Sequence, residues 1–325
     1  MKKINQYTSI DFQRVKHIAE SYHAKEFSEP ILNLVVNLIA VFAIIYFIAL
    51  RPKKWQSGWI VLLALFLLRL FMLFHDMCHK SYFPSDERKT NRTGINTIVA
   101  NCIDFLCSHS AGVWTKGHSD HHQAHGNLNL LDETRTVITR KTYDELPTYQ
   151  KMLYNLFRHP LIFFLLVPLY AFWIARVMYF DIVYLVKYSI FLFVLYKIGK
   201  WRLLLSYVLA QYIAGVIGLM LFHLQHQINV GYWAKFDPSD KLSKENADFV
   251  GSSVLTIPPI FDFFTNGIEY HNVHHVDPGV PSYNTQKCYE ELRVKGLLKT
   301  KKSNYLDMWK GLNHTLYNEE TGRYE

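Results

Sequence analysis

Residues Ile31–Leu50 read ILNLVVNLIAVFAIIYFIAL, an apolar stretch without a charged side chain. Gln56–Leu68 and Leu203–Phe222 also contain no charged residue. A helix needs about 20 apolar residues to cross a hydrocarbon layer of about 30 Å, and both Ile31–Leu50 and Leu203–Phe222 reach that length. The sequence therefore predicts an integral membrane protein, in agreement with its 50% hydrophobic and 15% aromatic residues.

A first helical hairpin follows from the residues around this stretch. Arg51, Pro52, Lys53 and Lys54 end the helix over Ile31–Leu50, because proline and a run of charge interrupt an apolar helix. A second helix is predicted to return from Trp55 or Gly58 to about Phe74.

The charge balance argues against a nucleic-acid-binding function. The formal net charge is +8, with 35 Lys and Arg against 27 Asp and Glu. These basic residues lie beside apolar stretches and do not form the basic runs, interleaved with aromatic residues, that are typical of nucleic-acid binding. Anionic membrane lipids or an acidic protein are the expected partners.

The ends of the chain differ in composition from the centre. The first thirty residues carry too many charges for a signal peptide, so we expect them to be retained. The chain is divided into a polar N-terminal segment (1–30), a membrane domain (31–300) and a C-terminal tail (301–325).

Three clusters contain half of the 16 histidines. They read HDMCH at 75–79, HSDHH at 118–122 and HNVHH at 271–275. Residues i, i+3 and i+4 share one face of a helix, so each cluster can direct its imidazoles toward a common point. A single HxxxH is also compatible with a solvated helix end, but two HxxHH motifs and an HxxxH together favour one shared site.

Eight imidazoles exceed the ligand number of a single ion. A structural zinc takes about four ligands, and a catalytic zinc keeps about three from the protein. Two ions suit the number better, so the pattern predicts a histidine-rich dinuclear iron site. Its candidate ligands are His75, His79, His118, His121, His122, His271, His274 and His275.

Ligands of one site must lie on one side of the membrane, which limits the number of crossings. HDMCH and HSDHH lie on the same side because no span separates them. Between HSDHH and HNVHH the chain must therefore cross the membrane an even number of times. We predict that Ile182–Gly199 and Leu203–Phe222 form a second hairpin and that Leu161–Ala175 lies at the interface. Lys187 interrupts the apolar stretch Ile182–Gly199, and Pro168 interrupts Leu161–Ala175.

The predicted fold is an all-α, multi-pass membrane protein with four spanning helices in two hairpins. A cytosolic helical cap is expected to hold the histidine site. Residues Ile95–Leu106 have apolar side chains at intervals of three and four, the spacing of an amphipathic helix. This helix is predicted to lie at the membrane interface or to roof the active site.

With its three boxes, the sequence resembles the membrane fatty acid desaturase superfamily, whose hallmark is the series HxxxH, HxxHH and HxxHH. The likeness is greatest to acyl-lipid desaturases of the delta-12/omega-6 type and covers residues 60–300. It includes KGHSDHHQAHGNLN (116–129), FRHPLIFFLLVP (157–168), FHLQHQINVGYW (222–233) and GIEYHNVHHVDPGVPSYNTQKCYEEL (267–292).

The resemblance implies a set of metal ligands. The box histidines match iron-binding positions, and His226 in LQHQ matches an additional, ninth ligand. His223 and His125 share helical faces with ligands, but the family pattern does not require histidine there. No separate catalytic acid or base is assigned. Residues close enough in sequence to orient the imidazoles are Asp76, Asp120, Asp262, Asn266 and Glu269.

The resemblance also implies an activity. An oxidoreductase of this family introduces a cis double bond into a membrane lipid acyl chain while dioxygen is reduced to water. Because the chain lacks a heme motif of the form HPGG, a separate electron donor such as cytochrome b5 or ferredoxin is expected. The boxes would lie on the cytosolic side of the endoplasmic reticulum in a eukaryote, or of the plasma membrane in a bacterium. Double-bond position and the choice between acyl-lipid and acyl-CoA remain open.

Two other functions are compatible with the residues. A related di-iron hydroxylase, or a carotenoid or sterol oxygenase, uses a similar oxidant and returns oxygen to its substrate. A non-catalytic membrane metal or heme binder belongs to a different class. Metal transport places ionisable ligands within the spans, whereas these clusters lie outside them.

Overall fold

The computed structural model describes residues 7–50, 55–132, 135–228, 233–299 and 302–325. Its helices are α1 (Ser9–Ser21), α2 (Ser28–Leu50), α3 (Gln56–Cys78), α4 (Glu87–Thr90), α5 (Ile95–Cys107), α6 (Ala111–Ala124), α7 (Arg140–Glu145), α8 (Thr148–Arg158), α9 (Pro160–Leu169), α10 (Ala175–Met178), α11 (Ile182–Gln227), α12 (Lys241–Gly251), α13 (Pro259–Thr265), α14 (His271–Val276), α15 (Ser282–Val294) and α16 (Tyr305–Gly311). A π-helical turn, Tyr170–Ile174, joins α9 to α10. The strands are β1 (Ile138–Thr139), β2 (Leu316–Asn318) and β3 (Arg323–Tyr324).

Helices α2 and α3 pack side by side in opposite directions. Near one end Asn37 Nδ2 donates to the Phe66 carbonyl (3.3 Å), and near the other Phe47 stacks on Trp59 with ring centroids 5.2 Å apart. The predicted turn of Arg51–Lys54 lies outside the described residues. Helix α3 continues one turn beyond the predicted end at Phe74 and so carries the first histidine box.

Helix α11 reverses direction at Lys200, whose backbone is non-helical (φ 55°, ψ −155°). Tyr188 Oη donates to Gln211 Oε1 over 2.8 Å, although a straight helix would separate residues 23 positions apart by about 34 Å. The two limbs therefore pack against each other. A Cβ on Gly199 would lie 2.3 Å from Leu203 Cβ, so the reversal requires glycine at this position.

Three of the described helices are long and apolar enough to cross a membrane: α2, α3 and α11. The pair α8–α9 is bent by 81° and would add a fourth only if it were one span. The chain is thus mostly helical with several membrane-span candidates, as predicted. The number of crossings stays a prediction.

The N-terminal segment packs against the helices that follow the membrane part. A Thr8–Asp11 capping box begins α1, and Tyr7 N–H donates to Asn246 Oδ1 on α12 (2.8 Å). Phe12 and Phe249 lie in the same core cluster, which also includes residues of α14 and α15. Helices α1, α12 and α15 therefore pack against α14, the helix that carries the third histidine box.

A small three-stranded sheet in the order β1–β2–β3 joins the C-terminal tail to the segment after α6. Strand β2 is parallel to β1, pairing Leu316 with Ile138, and antiparallel to β3, pairing Tyr317 with Tyr324. Trp233 packs between these tyrosines in a separate apolar cluster. The tail is therefore built into the layer that surrounds the histidines.

Candidate metal centre

The first histidine box ends α3. His75 lies in the last turn, and His79 follows the helix with its backbone N–H bonded to the His75 carbonyl (3.1 Å). Asp76 Oδ1 accepts from His75 Nδ1 (3.0 Å), while its Oδ2 accepts from the backbone N–H of Ser282 (2.7 Å). Because a carboxylate only accepts, the His75 proton lies on Nδ1 and Nε2 presents a lone pair.

The second box lies on α6. The Ser110 hydroxyl begins this helix by accepting from the Val113 backbone N–H (3.4 Å). Trp114 stacks on His118 with ring centroids 4.3 Å apart and an interplanar angle of 22°. His121 Nδ1 donates to Asp132 Oδ2 over 3.0 Å, which fixes the tautomer of a second imidazole.

The third box is the short helix α14, in which every residue is buried. Val273 and Val276 anchor it in the core shared with α1, α12 and α15. His226, one residue before the end of α11, reaches the same region, and its Nε2 lies 3.1 Å from His271 Nε2. The structure therefore places His226 beside the third box.

Five imidazoles form a first cluster, which consists of His75, His79, His118, His122 and His274. His118 Nε2 lies 3.1 Å from Nε2 of both His75 and His122, and His122 Nε2 lies 3.0 Å from His274 Nε2. The His79 ring closes the group, with its centroid 4.8 Å from those of His75, His118 and His274. Because His79, His118 and His122 are only half-buried, this cluster reaches the protein surface.

Four imidazoles form a second cluster, which consists of His121, His226, His271 and His275. All four are buried. One ligand nitrogen from each of His121, His226 and His275 lies within 4.8 Å of the others, and His271 joins through its contact with His226. The two clusters are neighbours, since His122 stacks on His275 with ring centroids 4.3 Å apart.

Each HxxHH box is divided between the clusters. On α6, His121 belongs to the second cluster and its two partners to the first; on α14, His274 belongs to the first and its partners to the second. Successive residues turn by about 100° around a helix, so positions i+3 and i+4 point in different directions. The expectation that each box directs its histidines to one point is therefore wrong, because each helix lies between the two clusters.

The surroundings of the third box favour the neutral form of its imidazoles. Burial, followed by the neighbouring histidines, lowers the pKa of His271, His274 and His275 well below the usual value. A neutral imidazole keeps one lone pair, the form that binds metals. The enclosure thus keeps the nitrogens ready to act as ligands.

The nitrogen positions fit metal ions. A metal–imidazole bond of about 2.1 Å places neighbouring ligand nitrogens about 3–4 Å apart. The closest nitrogen pairs of the two clusters are 3.0 and 3.1 Å apart, and the grouped nitrogens of each cluster lie within 4.8 Å of one another. Within the described part of the chain, His79 Nε2 and both ring nitrogens of His275 are buried without a hydrogen-bond partner. Nitrogens that converge in this way can bind one cation, and imidazole donors suit iron.

Comparisons with known proteins agree with this geometry. The model of a family described as fatty acid desaturase matches residues 53–302. The chain belongs to the fatty acid desaturase family. A Bacillus subtilis protein named fatty acid desaturase is 32% identical over 245 residues, 71% of this chain and 66% of that protein. The predicted family, one of oxidoreductases, is thus confirmed.

Two further relatives carry more specific names. An sn-1 oleoyl-lipid 12-desaturase of Picosynechococcus is 22% identical over 293 residues, covering 83% of this chain and 77% of that protein. A chloroplastic omega-6 fatty acid desaturase of Brassica napus is 21% identical over 239 residues, covering 69% of this chain and 50% of that protein. The aligned part of the chain spans just under two thirds of the Bacillus desaturase and half of the Brassica desaturase.

Two histidines outside the boxes have different surroundings. His125 packs against the second cluster, with its ring 4.7 Å from that of His226, but a Cβ added to Gly251 would lie only 3.0 Å from His125 Nε2. That nitrogen thus faces Gly251. His223 Nε2 donates to the Gly311 carbonyl (2.9 Å), and its Nδ1 accepts from Thr136 Oγ1 (2.9 Å), so both nitrogens are used.

The carboxylates that contact the clustered histidines were only partly evident from the sequence. Asp76 contacts His75 as expected, but Asp120 is exposed and pairs with Lys116. Asp132, which sequence reasoning missed, holds His121. Asp248 was also missed; its Oδ1 lies 3.8 Å from His275 Nδ1, and burial raises its pKa to about 7.

The remaining candidates lie near α13 and the loop after it. Asn266 Nδ2 donates to Ser282 Oγ (2.5 Å). Because the backbone N–H of Ser282 donates to Asp76, Asn266 helps to position the residue that holds this carboxylate. Glu269 is buried, and burial raises the pKa of its carboxyl. Asp262 ends α13 through its backbone carbonyl, which accepts from the Asn266 N–H (3.1 Å).

Proposed function

We propose that the chain is an acyl-lipid desaturase that introduces a cis double bond into a membrane lipid acyl chain. The observation that supports this most directly is the pair of adjacent imidazole clusters, five and four residues, in a member of the fatty acid desaturase family. Names of relatives that include oleoyl-lipid 12-desaturase and omega-6 desaturase favour a lipid-linked monounsaturated acyl chain as substrate.

The first cluster would hold one iron ion and the second cluster another. When bound, the irons supply the means to reduce dioxygen with electrons from a donor and to attack an unactivated C–H bond. The overall reaction balances as –CH2–CH2– plus O2, two electrons and two protons giving –CH=CH– plus two H2O. Asp76 and Asp132 would hold the Nδ1–H groups of His75 and His121, so that each Nε2 points at its ion.

The membrane arrangement we propose has α2, α3 and the two limbs of α11 as four spans in two hairpins, with all boxes on the cytosolic side. Helix α8 would lie in the interface, since its apolar residues Met152, Leu156 and Phe157 are exposed. Helix α5 packs against α3 and α11 and would border the path of the acyl chain. Plasma membrane is the expected location in a bacterium and endoplasmic reticulum in a eukaryote.

The proposed electron donor is a separate acidic protein such as cytochrome b5 or ferredoxin. The net charge of +8 supports electrostatic docking of an acidic partner. The half-buried first cluster offers the shorter route for electrons, because His79, His118 and His122 reach the surface.

The experiment that tests the proposal is expression in a host that lacks polyunsaturated lipids, followed by fatty-acid analysis by mass spectrometry. We expect a new cis double bond in a lipid acyl chain. His79→Ala should remove this product, whereas His159→Ala, which alters an exposed histidine outside both clusters, should retain it. A hydroxylated acyl chain or an oxidised sterol would contradict the desaturase assignment.

Metal analysis tests the site separately from the product. Protein purified under gentle conditions should contain about two iron ions per chain and show no Soret band. One zinc ion per chain, or bound heme, would rule out the dinuclear iron site.

A further inference from the structure

The end of α11 lacks helical partners for its last carbonyl groups, as every helix end does. The C-terminal tail supplies donors to two of them. Tyr324 Oη donates to the His226 carbonyl over 2.7 Å, and His314 Nδ1 donates to the Gln227 carbonyl over 2.5 Å. The tail thus caps the turn of helix that carries His226.

A further contact lies one turn earlier. His223 Nε2 donates to the carbonyl of Gly311, at the end of α16. A Cβ on Gly311 would lie 2.8 Å from Ile228 Cγ1 and 3.0 Å from Leu224 Cδ2, so glycine permits this close approach. The tail and the end of α11 are therefore joined at His223, His226 and Gln227.

The capping groups are themselves held in place by aromatic packing. The Tyr324 ring lies 5.2 Å from Tyr317 and 5.7 Å from Trp233, and it stacks on His314 at 5.7 Å with an interplanar angle of 18°. The Tyr324 hydroxyl bond to His226 is buried. The packing of these rings sets the direction of the hydroxyl group.

The sheet extends the connection to another ligand. Strand β2 of the tail pairs with β1, which lies six residues after Asp132 in the chain. Asp132 in turn holds His121 of the second cluster. Thr136, between Asp132 and β1, bonds both His223 Nδ1 (2.9 Å) and Gln227 Nε2 (3.0 Å).

We propose that residues 305–325 form a clamp that positions His226 and thereby sets the iron affinity of the second cluster. This inference rests on the proposed function, because it assumes that His226 binds iron. The family match ends at residue 302, so the clamp lies outside the matched region. Tyr324 and His314 are positioning residues in this scheme, since they act through the backbone of α11.

The test replaces one hydroxyl group. Tyr324→Phe keeps the ring and removes only the donor to the His226 carbonyl. Because this contact acts through the backbone and not on the imidazole, we expect iron binding to weaken about 10-fold, the lower end of the range for groups that bond a metal-binding side chain directly. We expect iron per chain to fall from about two toward about one, with the loss confined to one of the two iron signals in Mössbauer spectra. Added Fe(II) should restore the missing iron by mass action.

The matched control is Tyr317→Phe, which removes a hydroxyl group from the same aromatic cluster whose acceptor is the Trp233 carbonyl (3.4 Å). It should retain about two iron ions. Metal-free Tyr324→Phe and Tyr317→Phe should melt at similar temperatures. If Tyr324→Phe does not purify as a single species, His314→Leu removes the neighbouring cap and carries the same expectation.

The outcomes separate the clamp from the proposed function. Unchanged iron content and spectra in Tyr324→Phe, or equal loss of both irons, would overturn the clamp while leaving a di-iron wild type intact. Absence of iron in the wild-type protein would instead overturn the proposed function.

Discussion

Asp132 offers a sharp test of how the protein orients a proposed metal ligand, because it contacts His121 but belongs to no histidine box. Its carboxylate lies 3.0 Å from His121 Nδ1, and both side chains are nearly inaccessible, at 6% and 3% exposure. A buried carboxylate in this position fixes the tautomer and raises the basicity of the opposite nitrogen. Replacing it should therefore weaken the second cluster without removing a ligand.

The expected magnitude depends on what replaces the carboxylate. Asp132→Asn keeps an oxygen acceptor for the Nδ1–H and loses the charge, so we expect about a 10-fold loss in iron affinity, or about 1.4 kcal/mol. Asp132→Leu leaves that donor buried without this acceptor and should cost about 100-fold, or about 2.8 kcal/mol. Iron per chain is measured after equilibration with a competing chelator, and product is measured in the same preparations.

Asp120→Asn is the matched control, since Asp120 lies next to His121 in sequence but is 55% exposed and pairs with Lys116. It should retain wild-type iron and product, because an exposed pair contributes little. Equal losses in Asp120→Asn and Asp132→Asn, or wild-type iron affinity in Asp132→Leu, would refute the reasoning.

Two other predictions concern a ligand and a buried charge. His226→Ala should abolish product and lower iron content, whereas His125→Ala should retain measurable activity because its Nε2 faces Gly251; equal loss in the two variants would show that His226 is misassigned. Lys187→Met leaves the buried Asp104 carboxylate without the ammonium 2.8 Å away and should destabilise the protein by about 2–3 kcal/mol, less than for a fully enclosed pair because Lys187 is 30% exposed. The loss of stability is measured by thermal unfolding, with size-exclusion chromatography as the readout of folded protein. Adding Asp104→Asn to Lys187→Met should recover most of that stability.

The sequence predicted the parts of this structure that depend on local composition. The charge-free stretch Ile31–Leu50 lies in α2, Gln56–Leu68 lies in α3 and Leu203–Phe222 lies in α11, and all three helices are long and apolar enough to cross a membrane. The histidine spacing correctly indicated helices that present several imidazoles together, since helical periodicity is a property of neighbouring residues. His226 was found only through the family resemblance, because a lone histidine has no spacing to interpret.

The division of the boxes between two clusters could not be predicted from spacing. It depends on where α6 and α14 lie relative to both sites, and that position is set by long-range packing such as the Val273 core. Asp132 and Asp248 likewise reach His121 and His275 through chain folding that no periodic pattern records.

Lys187 illustrates a misleading local signal. In sequence it interrupts an apolar piece, but in the structure its ammonium lies 2.8 Å from Asp104 Oδ1 and 2.6 Å from the Asn101 carbonyl on α5. An internal partner removes the penalty that an isolated charge would impose on an apolar helix. The partner comes from a helix about 80 residues earlier, so composition alone could not reveal it.

The reversal at Lys200 restricts how this chain can change in length. Its two limbs are joined by a single non-helical residue and held in register by the Tyr188–Gln211 bond, so no loop can absorb an extra residue. One inserted residue between Gln211 and His226 would advance everything after it by about 1.5 Å and rotate it by about 100°. His226 would then leave the second cluster although the hydropathy of the helix was unchanged. Insertions and deletions between Gln211 and His226 should therefore be absent from sequences that share this centre.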